Sequence, residues 1–217
     1  MITDTCRQIF TTIIVENMRK SDAATHFDIS FKSGGVMIKG KKVLLRTIKQ
    51  KDIDTVYDLI CDINNKGAYW HLIIPSETEF KREFSENGLW GQSEGRMLIM
   101  DHHENYLGEL LFFKGFDYQS GFEVGYELFH SSYSGKGYMK EALLLFCSYL
   151  FTCFPINRIQ VNAMKENVGS RKVAENCGFV YEGTMRKATF HNGKYHDLEL
   201  FSLLREECPP LDTLLVK

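Results

Sequence analysis

A short turn with two glycines runs directly into an apolar helix pattern in the segment SYSGKGYMKEALLLFCSYLF, residues 132–151. The first turn of a helix leaves several backbone N–H groups without partners inside the helix, and it carries the positive end of the helix dipole. Gly135 and Gly137 let a ligand approach this backbone closely. The pattern is typical of a phosphate site, although an isolated GxG is also typical of a plain turn.

Two common phosphate-binding motifs do not fit this turn. A dinucleotide-binding GxGxxG that begins at Gly135 needs a third glycine where Lys140 stands. A P-loop needs a Lys-Ser or Lys-Thr pair at the end of a longer glycine loop, and the sequence has none. What remains is the strand-like run FEVGYELF, which leads into a turn whose amides between Gly135 and Met139 can surround a pyrophosphate.

The elements that must position this turn follow from the hydrophobic pattern. From Lys42, KVLLRTI alternates like a half-buried strand, and IDTVYDLICDI then repeats its apolar residues at helical spacing. A capping-box pattern at Ser76 and Glu79 predicts a second helix. Three strand-like runs, RMLIMD, YLGELLFFKG and FEVGYELF, follow with short loops between them, which is typical of an antiparallel meander.

The second half of the chain is equally regular. After the long helix, RIQVNA predicts a strand and NVGSRKVAENC a short helix that Gly178 ends. Asn192-Gly193 then lies between two strand-like runs, which is the strongest hairpin signal in the chain. The predicted order is therefore β, α, α, β, β, β, α, β, α, β, β.

Composition limits the function. The 217 residues suit one domain of ordinary size, and 44% hydrophobic with 25% charged residues indicate a globular chain. A net charge of −2 gives no support for binding nucleic acid or a membrane. The six cysteines form no CxxC pair and have no metal-ligand spacing with the seven histidines, so we expect reduced thiols, no metal and a cytoplasmic protein.

Three separate stretches resemble one known family. They are EVGYELFHSSYSGKGYMKEA, NVGSRKVAENCGF and YEGTMRKATFHNGKYHDLELFSLL, and they resemble the GNAT superfamily of acetyl-CoA-dependent N-acetyltransferases. The resemblance is closer to the group that contains the ribosomal-protein N-terminal (alanine/serine) acetyltransferases. It implies an α/β (α+β) GNAT fold, with a central mixed, mostly antiparallel sheet flanked by helices. This domain would span residues 42–207, between an N-terminal extension of unknown role, 1–41, and a C-terminal tail, 208–217.

The resemblance also implies the residues that bind coenzyme A. The family signature for the pyrophosphate falls on Ser134, Gly135, Lys136, Gly137, Tyr138 and Met139. Ser134 and Met139 depart from the general pattern, but backbone amides bind whatever the side chain is. The main chain of Leu128 and Phe129 would bind the pantetheine arm, which would act as a surrogate strand. Asn167 would contact the cofactor, and the Ser170 hydroxyl would lie near its sulfur.

Transfer of an acetyl group to an amine needs a neutral nucleophile, donors to the carbonyl oxygen and a proton for the departing thiolate. Many GNAT proteins have a tyrosine where this chain has Ala174, so Ser170 is the better candidate for protonating the thiolate. The alternative for Asn167 and Ser170 is simple N-capping of the short helix.

The base is harder to assign from sequence. The glutamate of the closest N-terminal acetyltransferases is replaced by Thr189, whereas another glutamate position of the family falls on Glu123. We therefore predict Glu123 as the base, and Glu127 shares its strand face by the period of two. The alternative is that both glutamates are solvated residues of a half-exposed strand.

The resemblance implies an acceptor that is a primary amine, on a small molecule or at a protein N-terminus. A polyamine or aminoglycoside is the second choice, and it requires Glu123, Glu127, Asp197 and Glu199 to face one cleft. A non-catalytic acyl-CoA-binding module is the rival from another class, since Thr189 replaces a base. His191, His196 and Asp197 lie around the predicted hairpin and lack further ligands at metal-site spacing. The sequence leaves monomer and homodimer open.

Overall fold

The computed structural model of the protein describes residues 37–64, 66–70, 72–115 and 121–216. Within these ranges the strands are β1 (Ile38–Lys39), β2 (Leu44–Thr47), β3 (Glu94–Met100), β4 (Tyr106–Lys114), β5 (Gly121–Leu128), β6 (Arg158–Met164), β7 (Val180–His191) and β8 (Lys194–Leu204). The α-helices are α1 (Ile53–Cys61), α2 (Glu77–Asn87), α3 (Tyr138–Cys153), α4 (Val168–Asn176) and α5 (Leu211–Leu214). The predicted order of elements is confirmed, with β1 and α5 added at its two ends.

The strands form one mixed sheet in the order β1-β2-β3-β4-β5-β6-β8-β7. All neighbouring pairs are antiparallel except β5 and β6, which are parallel because α3 crosses over between them. The predicted mixed, mostly antiparallel sheet flanked by helices is therefore confirmed. Asn192 and Gly193 both have positive φ, 46° and 77°, so the predicted Asn-Gly turn joins β7 to β8.

The parallel pair separates soon after it begins. Only Gly121–Glu123 of β5 pairs with Arg158–Gln160 of β6. Beyond this point β5 continues to Leu128 beside β4, and β6 continues to Met164 beside β8. A gap therefore opens between the two strands, and one edge of β5 has no partner strand there within the described ranges.

Each face of the sheet is covered by helices. The larger core lies under α3, where Leu143, Phe146 and Leu150 are fully buried. The smaller core lies on the other face, where Val56 of α1 and Phe80 of α2 pack with residues of β2 and β3. In the part of the chain that the structure describes, no helix is both long and apolar enough to cross a membrane.

Residues just outside both predicted domain boundaries pair with or contact the domain. Residues 1–36 of the predicted extension lie outside the described residues. Ile38 and Lys39 pair with β2, so the sheet begins before residue 42. In the predicted tail, Pro209 O accepts a hydrogen bond of 2.8 Å from Ser148 Oγ of α3, and the backbone N–H of Val216 donates to Lys39 O.

Candidate active site

The glycine turn has the backbone that an anion site needs. Gly135 and Gly137 have φ of 75° and 81°, in the left-handed region that side chains disfavour. Gly137 is the N-cap of α3, and no side chain of the described residues caps this helix start. The N–H groups of the first turn, which begins at Tyr138, are thus left for a ligand. The turn therefore supplies outward-facing amides at the positive end of a 16-residue helix.

This helix start opens into a cleft of about 540 Å³. The cleft is lined by loop residues 67–70, strand residues 126–128, turn residues 130, 131, 133–135 and 137–140, and residues 167, 169, 170, 172, 173 and 176 around α4. It lies at the gap between β5 and β6, where none of the strands that the structure describes pairs with the edge from Tyr126 to Leu128 on that side. The arrangement fits an extended group that lies along β5 with its anionic end at the glycine turn.

The predicted cofactor residues do not all reach the cleft. Seven of the predicted residues do line it: Leu128, Ser134, Gly135, Gly137, Tyr138, Met139 and Asn167. Phe129 is 5% exposed, and its N–H donates to Leu107 O at 2.9 Å, so this amide serves the sheet. Lys136 is outside the lining, and its ammonium lies 6.0 Å from the centre of the Tyr133 ring.

Lys42 is a residue that the sequence analysis missed. Its Nζ donates to Lys136 O at 2.9 Å, across 94 positions of sequence. Glu141, in the first turn of α3, accepts from the backbone N–H groups of Lys41 and Lys42 and so fixes this segment beside the turn. A Cβ on Gly137 would lie 3.1 Å from Lys42 Nζ. The positive charge of Lys42 is therefore placed against the predicted pyrophosphate site.

Asn167 and Ser170 lie together at the start of α4. Asn167 Oδ1 accepts from Ser170 N at 3.0 Å, so the N-capping alternative describes a real contact. Both residues also line the cleft, which capping alone does not require.

Tyr126 is a second residue that the sequence analysis missed. Its hydroxyl lies 2.9 Å from Ser170 Oγ and donates to Ser170 O at 3.1 Å. Burial raises the pKa of Tyr126 well above its ordinary value, so its phenol stays protonated at neutral pH. Only the alternation along β5 signals that Tyr126 and Leu128 share a face. The sequence does not show that α4 lies against that face.

Glu127 is the acid that β5 places in the cleft. It pairs directly with Glu109 on β4, and Glu109 binds Arg96 through both carboxylate oxygens at 2.9 Å. Burial, and then the charge of Glu109, raises the pKa of Glu127 to about 9, against the opposing charges of Lys66 and Arg96. Glu127 Oε1 is buried and has no hydrogen-bond partner among the described residues. It is thus a basic carboxylate with an acceptor atom available.

Glu123, the predicted base, lies outside the residues that line the cleft. Its Oε2 accepts from Gln160 Nε2 at 3.0 Å. The physical reason is the position along β5: Glu123 still pairs with β6, whereas Glu127 lies beyond the point where the strands separate. The structure brings Ser170 and Glu127 to one cleft and leaves Glu123 between the strands.

Asp197 and Glu199, the other two acids expected at a polycation site, lie outside the cleft. Asp197 Oδ1 accepts from Lys187 N at 2.8 Å, and Glu199 Oε2 lies 2.7 Å from Arg171 Nε. Neither lines the cleft, so Glu127 is the one member of the predicted set of four acids that does. The condition for a polycation site, four acids that face one cleft, is not met.

The chain matches known proteins over most of its described length. Residues 42–180 match the acetyltransferase (GNAT) domain. The chain is 28% identical over 170 residues to the uncharacterized N-acetyltransferase YokL of the SPbeta prophage in Bacillus subtilis, across 77% of this chain and 93% of that protein. It is 23% identical to the ribosomal-protein-serine acetyltransferase of Escherichia coli, across 73% of this chain and 90% of that protein.

The fold has counterparts among solved structures. The crystal structure of spermidine N-acetyltransferase from Vibrio cholerae in complex with CoA and spermine superposes with a TM-score of 0.67 at 22% identity, across 76% of this chain and 97% of that one. At this identity the likeness shows the fold. The match of residues 42–180 spans more than half of the chain, so the chain belongs to the GNAT family of acetyltransferases and is an acyltransferase.

Proposed function

We propose that the protein transfers an acetyl group from acetyl-CoA directly to a primary amine, and that the preferred amine is a protein N-terminus. The observation that carries this proposal is the uncapped start of α3, which opens into the same cleft as Ser170 and Glu127. One cleft therefore has an anion site for the donor, a hydroxyl for its sulfur and a base for the acceptor.

Acetyl-CoA supplies an activated acetyl thioester, and the glycine turn fits its pyrophosphate. The amides from Gly135 to Met139 are the proposed donors, with the ammonium of Lys42 beside them. Lys140 and Lys172 also line the cleft and add positive charge for phosphate groups. The unpaired edge of β5 at Leu128 offers main-chain groups to the pantetheine arm. The crystal structure of the Vibrio cholerae relative with CoA supports this part of the proposal.

Glu127 is the proposed base in place of Glu123. In direct transfer the amine nitrogen bonds to the acetyl carbon, the carbon–sulfur bond breaks, and the nitrogen loses a proton. The ionised carboxylate of Glu127 takes this proton, directly or through water, because it is in the cleft and strongly basic for a carboxylate. Glu123 is not at the cleft, and its Oε2 accepts a hydrogen bond from Gln160.

Ser170 is the proposed donor to the departing sulfur. Its hydroxyl contacts the Tyr126 hydroxyl, whose proton is retained at neutral pH. Ser170 gives its proton to the thiolate, and the Tyr126 hydroxyl orients Ser170 and keeps its own proton. A proton from water restores the serine hydroxyl, and Glu127 returns to water the proton that it took from the amine. The contact with Ser170 distinguishes Tyr126 from an ordinary buried tyrosine.

An N-terminal amine fits this cleft better than a polyamine. An α-amino group has a pKa of about 7.7–8.0, so a base has a neutral fraction to work with near pH 8, whereas a side-chain amine at about 10.4 is almost fully charged. The four acids expected for a polycation do not converge. The Escherichia coli relative, named for a ribosomal protein and serine, supports a protein acceptor. The spermidine acetyltransferase of Vibrio cholerae keeps the polyamine as the second candidate.

Release of free thiol from acetyl-CoA tests the proposal. The panel contains peptides that begin with serine or alanine, the same peptides blocked by Nα-acetylation, and spermidine. We expect thiol release with the free peptides, none with the blocked ones, and a mass increase of one acetyl group at the N-terminus. Turnover of spermidine but not of the peptides would make a polyamine, and not a protein N-terminus, the preferred acceptor. If the protein does not bind CoA, both candidate functions fail.

A further inference from the structure

His191 links the β7–β8 hairpin to the loop between α1 and α2. It is 7% exposed, and its Nε2 lies 2.8 Å from the backbone oxygen of Ala68, which is 123 positions earlier. A carbonyl oxygen can only accept, so Nε2 carries the hydrogen and donates. The neutral Nε2–H tautomer and the imidazolium both have this hydrogen, so the contact does not depend on which of them is present.

The loop that His191 holds forms one wall of the cleft. Residues 67–70 line it, and residues 66–70 are neither helix nor strand. A turn within the loop is closed by Trp70 N donating to Gly67 O at 3.1 Å. Without ladder hydrogen bonds, the position of such a segment depends on contacts from outside it.

The position of this loop also affects the proposed base. The charge of Lys66 lowers the pKa of Glu127 and so opposes the effects of burial and Glu109. Movement of the loop would change both the width of the cleft on this side and the field at Glu127. The loop thus connects the hairpin to the acceptor side of the reaction.

We infer that His191 is a positioning residue for the acceptor amine: its hydrogen bond to Ala68 O holds residues 66–70 as the wall against which the amine is bound. The inference rests on the proposed function. His191 itself does not line the cleft, so it acts through the loop and not on the substrate.

Two variants separate the hydrogen bond from the shape of the ring. His191→Phe keeps a ring of similar size and removes the donor, whereas His191→Gln places an amide donor at about the same reach. For His191→Phe we expect the KM of the acceptor to rise about fivefold to tenfold, the loss of about one buried hydrogen bond. We expect the Kd of CoA to stay within about twofold, because the residues proposed to bind CoA lie outside this loop. The kcat can change only through the charge of Lys66 at Glu127, and it should change less than the acceptor KM. His191→Gln should recover most of the KM.

A second measurement follows the loop without any turnover. The chain has two tryptophans, and Trp90 packs in the core against Phe112 and Tyr149 while Trp70 is in the loop. In protein labelled with 5-fluorotryptophan, the ¹⁹F resonance of Trp70 should shift in His191→Phe and return in His191→Gln. The Trp90 resonance should not move, and Trp70→Phe assigns the two signals.

The outcomes separate this inference from the proposed function. An unchanged Trp70 resonance with an unchanged acceptor KM in His191→Phe would overturn the inference and leave the function intact. His191→Gln behaving like His191→Phe would also overturn it. If no amine is acetylated, the function fails, and the Trp70 resonance still decides whether His191 holds the loop. If His191→Phe does not fold, which the Trp90 signal reports, His191→Asn replaces it, because its shorter amide cannot reach Ala68 O.

Discussion

Glu127 lies directly opposite Glu109 on the neighbouring strand, and Arg96 binds Glu109 through both carboxylate oxygens at 2.9 Å. Arg96 therefore stabilises the negative charge of Glu109, which is 1% exposed. Glu127 has no such hydrogen-bond partner for its buried Oε1 among the described residues. Two facing glutamates thus have different roles: Glu109 is the paired carboxylate, and Glu127 is the one whose proton is held tightly.

Glu127→Gln should abolish most of the activity. Loss of a general base lowers kcat by about 100-fold or more, whereas the Kd of CoA should be unchanged because the glycine turn is intact. Steady-state thiol release and calorimetric titration with CoA measure the two effects. Glu123→Gln is the matched control on the same strand face, and it should retain activity within about threefold. A larger loss in Glu123→Gln than in Glu127→Gln would return the role of base to Glu123.

The pH profile follows from the raised pKa of Glu127, about 9. The base works only when ionised, so kcat/KM should rise with pH up to about this value and then level off. The residual activity of Glu127→Gln should lack this rise. A peptide whose amine has a different pKa serves as the control. If the pH at which kcat/KM rises changes with the peptide, the rise reports titration of the acceptor amine and not of the enzyme.

The same pKa predicts how stability depends on pH. Glu127 binds its proton more tightly in the folded than in the unfolded chain, where a glutamate has a pKa of about 4.3. The folded state is therefore destabilised as pH rises from about 4.3 to about 9, and the full cost is present above that range. Glu127→Gln removes this cost. Its Tm should exceed that of the unmodified protein at pH 9, and the difference should shrink toward pH 5.

Tyr126 and Ser170 should behave as one unit. Ser170→Ala should lower kcat about tenfold to 100-fold, and Tyr126→Phe should lower it less, because the Ser170 hydroxyl is then less well oriented but can still donate. The double variant should lose no more than the worse single variant, since Tyr126 acts only through the Ser170 hydroxyl that it orients. Equal and additive losses would indicate independent roles. Circular dichroism of each variant checks that the start of α4 is preserved.

Gly137→Ala should weaken CoA binding. The φ of 81° disfavours alanine, and the new Cβ would lie 3.1 Å from Lys42 Nζ. The turn must then shift its amides, and we expect the Kd of CoA to rise about tenfold. Gly88→Ala is the matched control, because Gly88 has a similar φ of 69° with open space around it. It should lose some stability but keep the Kd of CoA.

The sequence predicted the order of elements and the glycine turn because these are local patterns. Alternation within FEVGYELF is visible along the chain, and the positive φ of Gly135 follows from residue type. The point where β5 leaves β6 is not a local property. It decides that Glu127 and not Glu123 reaches the cleft. Likewise, the contacts of Tyr126 with Ser170 and of Lys42 with Lys136 join residues that are 44 and 94 positions apart.

Lys42→Gln tests the most distant of these contacts. The variant removes a positive charge beside the glycine turn and keeps a polar side chain, so the Kd of CoA should rise about threefold to tenfold at low salt. Because the lost interaction is electrostatic and Lys42 is exposed, the difference from the unmodified protein should narrow as ionic strength increases. Lys41→Gln is the matched control, because the Lys41 side chain is also exposed. In both variants the backbone N–H groups of residues 41 and 42 can still donate to Glu141. Equal weakening by the two variants would mean that CoA senses only the general charge of this segment, and Lys42 would then have no specific place at the pyrophosphate.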